Sequence, residues 1–159
     1  MSVMKINILS TQYTLNNRAL EIYVAGCSGN PKCKNCFNPE SWRFDIGDIY
    51  DAEYYNIRIK NKAEEFDNMI NNIMIFGGEP LDQDYNELEF FLLDLKKLKK
   101  PIWLFTRYKF NEVPMFVKSN CNYIKCGRYI PELICDDNIM FGIKLATSNQ
   151  KIYKKGVDY

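Results

Sequence analysis

The sequence predicts an α/β fold, a small and mainly parallel sheet flanked by helices, in a single domain over residues 1–159. Short apolar runs at 20–25, 73–76 and 102–106 have the length and composition of buried strands. Residues 85–100, between the last two runs, repeat apolar side chains at helical spacing and end in lysines. Strands that alternate with helices along a chain form a parallel sheet, so these observations together predict the fold class.

The remaining elements are predicted in order along the chain. An N-terminal lead-in precedes the first strand, and the polar segment 51–72 has too few apolar residues for a deep core element. Within that segment Ala63, Phe66, Met69 and Ile70 fall at helical spacing, which predicts a helix near 61–72. A short helix interrupted by Pro114, a strand over 122–126 and an irregular tail complete the prediction.

Composition and charge argue against several classes of function. Lys and Arg number 21 against 20 Asp and Glu, without a basic stripe, so no nucleic-acid partner is expected. No signal-peptide pattern and no run of roughly 20 apolar residues is seen, so we expect a cytoplasmic protein without a membrane partner. The chain has no histidine, which removes every mechanism and metal site that needs an imidazole. Closely spaced cysteines in a reducing compartment then indicate metal ligation or thiol catalysis, and thiolates favour zinc or iron–sulfur clusters.

Half of the six cysteines lie within ten positions, at Cys27, Cys33 and Cys36, and are called the loop cysteines below. A structural zinc site usually has four protein ligands, whereas three thiolates on a cubane cluster leave one iron open. The C-x5-C-x2-C spacing without a fourth cysteine therefore favours a cluster over zinc. Asn38 is expected to cap a helical turn that begins at Pro39 and holds the end of the loop.

Three unusual loops are predicted to meet at the carboxyl-terminal edge of the parallel strands, where ligands bind in such folds. They are the cysteine loop, GGEP at 77–80 and TRY at 106–108. Gly77 and Gly78 carry no side chain, so backbone carbonyls can approach a ligand, and Glu79 adds an anionic acceptor. Such a set suits an ammonium or amine group.

These motifs resemble a known family. A cysteine triad followed by GGEP is similar to the radical S-adenosylmethionine (SAM) enzymes. More narrowly, CKNCFNPESW (33–42), IWLFTRY (102–108), GRY (127–129) and TSNQKIY (147–153) resemble, in order, segments of the anaerobic ribonucleoside-triphosphate reductase activating proteins. The resemblance implies a truncated radical SAM barrel in which the loop cysteines hold a 4Fe-4S cluster and SAM binds its open iron.

The resemblance also implies roles for individual residues and partners. Gly77, Gly78 and Glu79 would receive the SAM amino group, Asn38 and Thr106 would belong to the cofactor site, and no protein residue is assigned a catalytic role. A flavodoxin- or ferredoxin-type donor would reduce the cluster, and SAM would be cleaved to methionine and a 5′-deoxyadenosyl radical. That radical would take a hydrogen atom from a glycine on the large catalytic subunit of an anaerobic ribonucleotide reductase.

The chain departs from the family pattern at three places. Five residues rather than three separate Cys27 from Cys33, so the loop is longer. Arg107 stands where the pattern has Gly, and Cys126 where it often has Asp. Arg107 changes the close backbone approach that Gly allows in the family pattern, and Cys126 changes the polar contact that Asp would make.

Other interpretations remain open at this stage. The chain could be another small radical SAM enzyme, for a different glycyl-radical enzyme or a small metabolite, or a non-catalytic iron–sulfur or zinc module. GGEP could be an ordinary turn, 106–108 a solvated loop and 148–150 a turn cluster, while Trp42 and Trp103 are expected to pack in the core. The distal cysteines are expected to be inert, with a second metal site as the alternative; they are Cys121, Cys126 and Cys135.

Overall fold

The computed structural model describes residues 5–29 and 39–159. Their strands, in chain order, are β1 Asn7–Thr14, β2 Ala19–Val24, β3 Asp48–Ile49, β4 Asn72–Gly77, β5 Ile102–Phe105, β6 Tyr123–Cys126, β7 Ile139–Met140, β8 Ile143–Lys144 and β9 Lys151–Lys154. In this part of the chain one sheet has the order β3-β1-β2-β4-β5-β6-β9, and β7 and β8 pair separately. The strands β2, β4, β5 and β6 are parallel and form the centre of this mixed sheet, which confirms the α/β fold class.

Both edges of the sheet are antiparallel and correct the prediction. The N-terminal lead-in is strand β1, which pairs with β2, and the tail predicted to be irregular contains the β7–β8 hairpin and strand β9, which pairs with β6. Strand β1 alternates only weakly between buried and exposed residues. Its strand conformation comes from pairing with an apolar neighbour, which a local pattern does not reveal.

The polar segment forms a helical run that begins earlier than predicted. It consists of α1 Ala52–Tyr54, a π-helical turn Tyr55–Lys60, α2 Asn61–Glu65 and a 3₁₀ turn Asp67–Met69. The helix predicted near 61–72 is confirmed in part, by α2 and the 3₁₀ turn, although the helical run begins earlier and β4 starts at Asn72. The prediction of no deep core element is wrong, because Tyr54, Tyr55 and Ile59 are buried in the core. The π turn adds a residue to one turn and shifts the phase of the apolar side chains, so a 3.6-residue period does not find them.

The other helices confirm the sequence interpretation with shorter bounds. Helix α3 spans Tyr85–Lys96, and the Asp84 carboxylate caps it by accepting from the Asn86 and Glu87 N–H groups. It ends before residue 100 because Lys99 has a φ of 58° and Pro101 disfavours helical backbone at residue 100. Around Pro114 the chain forms a 3₁₀ turn, Phe110–Glu112, and then α4, Met115–Asn120.

The two faces of the sheet are covered differently. One face packs against the helices, and its core includes Ile22, Ile75, Leu104 and Phe91. On the opposite face Met74, Trp103 and Ile152 pack with Leu145 and with side chains of the β7–β8 hairpin. Trp103 is 5% exposed, which confirms its expected place in the core. No helix among the described residues is long and apolar enough to cross a membrane.

Candidate functional site

The three loops predicted to share an edge are joined by hydrogen bonds. The Glu79 N–H donates to Gly26 O at 2.8 Å, which links the loop after β4 to the end of β2. The Arg107 N–H donates to Glu79 Oε2 at 2.9 Å, which links the loops after β4 and β5. The Ser28 N–H donates to Asp82 Oδ2 at 2.9 Å. The described parts of all three loops therefore form one connected site at the carboxyl-terminal edge of the sheet.

The cysteine loop is closed at its base by two backbone hydrogen bonds. Gly26 N–H donates to Ser41 O at 2.7 Å, and Cys27 N–H donates to Trp42 O at 3.0 Å. Both acceptor residues belong to a 3₁₀ turn, Pro39–Trp42, which lies where the sequence predicts a helical turn. Cys27 is 7% exposed. The other two loop cysteines, Cys33 and Cys36, and Asn38 lie outside the described residues, so their assigned roles stay predictions.

Gly77 and Gly78 stand where three backbone segments come together. Gly77 has a φ of 133°, and a Cβ there would lie 2.1 Å from Val24 O. A Cβ on Gly78 would lie 2.4 Å from Gly26 O and 2.7 Å from Ser41 O. Backbone atoms cannot move aside as a flexible side chain can, so both glycines are needed to seat the β4 loop against the base of the cysteine loop. Their role as ligand contacts remains a prediction.

Glu79 is a buried carboxyl group that holds the loops together. Its side chain is 1% exposed, and Oε1 accepts from the Leu81 N–H at 3.0 Å and the Thr106 hydroxyl at 2.6 Å. Burial raises the pKa of Glu79 above its ordinary value, although hydrogen bonds from Arg107, Thr106 and Leu81 oppose the shift. The carboxyl group therefore has a structural task in addition to the ligand contact predicted for it.

Thr106 and Tyr108 are integrated into the site, and the solvated-loop interpretation is wrong for them. Thr106 is 3% exposed, and its Oγ1 also accepts from the Tyr108 N–H at 3.1 Å. The Tyr108 hydroxyl forms a short hydrogen bond with Asp82. Burial and the neighbouring Asp82 raise the pKa of Tyr108 to about 12, so the phenol stays protonated and acts as the donor.

Asp82 and Gln83 belong to the site, although no motif in the sequence marks them. The Gln83 amide donates to Ala25 O at 3.0 Å and to Glu79 O at 3.1 Å, so it bridges two loops. Asp82 connects the start of the cysteine loop to Tyr108. They are the second and third residues after GGEP, and this position after the motif is the signal that the sequence offers for them.

A cavity of about 830 Å³ opens beside these loops, between the ends of β5, β6 and β9. Its lining includes Arg107, Tyr108, Arg128 and Lys151. The turn cluster expected at 148–150 shapes one wall, because the Asn149 amide donates to Arg128 O at 3.0 Å and the Gln150 amide to Gly127 O at 3.2 Å. The TSNQ segment therefore fixes the GRY turn.

Two of the distal cysteines lie at opposite ends of β6, where Cys126 ends the strand and lines the cavity and Cys121 precedes the strand. Cys121 and Cys126 belong to the core on the helix side of the sheet, and burial raises the pKa of each to about 12. Cys135 is half-buried. Among the described residues no group of three or more Cys, Asp or Glu side chains is placed to hold a metal ion, and two of the loop cysteines are outside that set.

Comparison with known proteins gives two kinds of similarity. Residues 17–131 match the family model of the 4Fe-4S single cluster domain. The chain is 28% identical over 119 residues, 70% of its length and 74% of the relative, to the anaerobic ribonucleoside-triphosphate reductase-activating protein of Haemophilus influenzae. It is also 28% identical over 95 residues, 58% of each chain, to the protein of the same name in enterobacteria phage T4.

Proposed function

Because the chain belongs to the 4Fe-4S single cluster domain family, we propose that it is a radical SAM activase for an anaerobic ribonucleotide reductase. Two relatives with that activating role in their names support the proposal. The observation that carries it is the junction of the cysteine loop, GGEP and TRY loops at one edge of four parallel strands. The fold is proposed to be a truncated radical SAM barrel.

The chemistry of the junction fits a cluster held by the loop cysteines. Cys27 lies three residues after the end of β2, where it is buried and its N–H is held by the Trp42 carbonyl. The guanidinium of Arg107 lies against Gly29, two residues after Cys27. A cationic group beside buried thiolates favours the anionic ligand form. When bound, a 4Fe-4S cluster supplies the electron for reductive cleavage of SAM.

The SAM amino group is proposed to bind at Gly77, Gly78 and Glu79. A carboxylate has about four lone-pair sites, and the Glu79 carboxylate uses three of them for Leu81, Thr106 and Arg107. One acceptor site on Oε2 is therefore left for an ammonium group. Ionised Glu79 would be stabilised by that ammonium, which offsets the cost of its burial.

The chain's own residues would orient the reactants and exclude water rather than transfer protons. Cys27, Glu79 and Thr106 are each less than a tenth exposed, so the junction is a dry, preorganised environment. The partner is proposed to be the large catalytic subunit of the reductase, with a flavodoxin- or ferredoxin-type electron donor. We further propose a cytoplasmic location and no nucleic-acid or membrane partner.

The proposal is tested by electron paramagnetic resonance. Protein reconstituted without oxygen is mixed with SAM, a reductant and the reductase subunit encoded beside this chain. We expect a carbon-centred radical on that subunit with a large doublet splitting, and collapse of the splitting when the subunit contains α-deuterated glycine. The activase proposal would be wrong if this signal is absent and a small metabolite accelerates SAM consumption in proportion to its own conversion. The protein would then be an enzyme that acts on a metabolite.

A further inference from the structure

The side chain of Arg107 crosses from the loop after β5 to the start of the cysteine loop. A Cβ placed on Gly29 would lie 3.0 Å from the Arg107 Cζ, so the guanidinium lies against the backbone of that glycine. The same group lies 4.6 Å from the centre of the Tyr108 ring and donates to the Tyr108 hydroxyl at 3.3 Å. Only 18% of the Arg107 side chain is exposed.

This guanidinium has hydrogen-bonding capacity that the described residues do not use. Its Nε is buried and has no partner among them. Its ion pair with Asp82 is long, at 4.0 Å, and Asp82 is already occupied by the Ser28 N–H and the Tyr108 hydroxyl. A buried charged donor without an acceptor is unfavourable, and such groups usually mark a ligand or a strained site.

The surroundings of Arg107 favour a fixed positive charge. Burial alone lowers the pKa of Arg107, but Tyr108, Cys27, Asp82 and Glu79 together raise it above its ordinary value. The backbone N–H of the same residue donates to Glu79 Oε2. The residue therefore begins beside the proposed ammonium site, and its guanidinium ends against Gly29, two residues after Cys27.

We propose that the Arg107 guanidinium is the anion-binding group of this loop junction. This inference rests on the proposed function, which supplies two anions: the carboxylate of SAM and the negative charge of a thiolate-ligated cluster. An amino acid carries its ammonium and carboxylate on one carbon, so a ligand whose ammonium is at Glu79 presents its carboxylate nearby. Guanidinium groups bind carboxylates with two parallel hydrogen bonds, which an Nε donor makes possible.

The test uses the reconstituted holoprotein and compares Arg107→Gln with Arg107→Lys. Arg43→Gln is the matched control, because Arg43 is an exposed arginine paired with Asp45 at 2.8 Å and its loss changes the net charge equally. Affinities for SAM and for decarboxylated SAM are measured by calorimetry. The reduction potential of the cluster is measured without SAM.

If Arg107 binds the SAM carboxylate, Arg107→Gln should weaken SAM binding by about tenfold or more and leave decarboxylated SAM unaffected. If it balances the cluster, the same variant should lower the reduction potential without SAM. Arg107→Lys should recover part of either effect, and Arg43→Gln should show none. Unchanged SAM affinity and unchanged potential in Arg107→Gln would overturn the inference. Wild-type protein that holds a cluster but binds no SAM would instead refute the proposed function. In that case the reduction potential of the cluster, compared between wild type and Arg107→Gln, would still test the role of Arg107.

Gly29 provides a second, independent perturbation. Gly29→Ala places a methyl group 3.0 Å from the guanidinium carbon, so that flexible side chain must shift by a few tenths of an ångström. It should therefore reduce SAM affinity or potential in the wild-type background and add nothing in the Arg107→Gln background. Additive effects in the double variant would show that Gly29 and Arg107 act separately, against the proposed contact.

Discussion

Replacement of Thr106 by Val tests how strongly the buried carboxyl group holds the site together. Valine keeps the shape of the side chain but removes the hydroxyl that donates to Glu79 at 2.6 Å and accepts from the Tyr108 N–H at 3.1 Å. A hydrogen bond to a charged group contributes about 1.5–3 kcal/mol, and a half-buried N–H without a partner costs about 1 kcal/mol. We therefore expect Thr106→Val to lower the free energy of unfolding by about 2–4 kcal/mol.

The pH dependence of this loss has a definite sign. The Thr106 hydroxyl lowers the pKa of Glu79 while burial raises it, so removing the hydroxyl raises the pKa of Glu79 further. The hydrogen bond that Thr106→Val removes stabilises the folded protein most when Glu79 is ionised. The destabilisation should be largest where Glu79 is ionised in the wild type, and it should diminish as the pH falls and Glu79 becomes protonated in both proteins.

Urea unfolding followed by tryptophan fluorescence at two pH values measures this effect. Thr106→Ser keeps the hydroxyl and should retain most of the stability. Thr14→Val removes a hydroxyl that donates to Glu21 at 2.6 Å, far from the loop junction, and is the matched control for SAM affinity. Of the two valine variants, only Thr106→Val should weaken SAM binding. A stability loss below about 0.5 kcal/mol, or one that is equal at both pH values, would refute the reasoning.

Three further predictions concern cysteines and glycines. Alanine at each loop cysteine should remove the roughly four irons of the reconstituted protein, whereas alanine at each distal cysteine should leave the iron content unchanged; a full cluster in Cys33→Ala would contradict the ligand assignment. Gly78→Ala should cost about 3–5 kcal/mol in urea unfolding because its methyl meets backbone oxygens, against about 1 kcal/mol for Gly142→Ala, where φ is 80° and nothing lies within 4 Å; equal losses would exclude the packing role. At pH 8, Cys121 and Cys126 in the folded protein should resist iodoacetamide, because burial raises the pKa of each to about 12 and both remain thiols below that pH; their modification, detected by mass spectrometry, would show that they are accessible.

The sequence predicted those features that depend on local pattern and on the rule for parallel sheets. Strands β2, β4, β5 and β6 are apolar runs, and their direction follows from the helices between them. Once the strands are parallel, the loops that follow them must lie on one edge, so the meeting of Cys27, Glu79 and Thr106 was predictable without coordinates.

Features that depend on pairing partners or on a change of period could not be predicted locally. Strand β9 is recognised only by its pairing with β6, and the π turn Tyr55–Lys60 breaks the helical period that would have marked the core residues. Gln83 looks like an ordinary surface residue in the sequence, yet the residue is 6% exposed and its amide donates to the Ala25 and Glu79 carbonyls. A hydrogen bond between loops has no signature in either sequence segment.

Two departures from the family pattern that the sequence resembles lie against each other in the structure. Gly29 belongs to the lengthened interval between Cys27 and Cys33, and the Arg107 guanidinium lies against it. An arginine at position 107 fills the space beside the start of this loop, and it stacks on Tyr108 at the same time. Glycine at position 107 would remove both contacts and leave the described start of the loop less well packed. The described start of the loop at Gly29 and the arginine therefore pack against each other, and changing Arg107 to Gly alone would loosen this contact rather than restore the family arrangement.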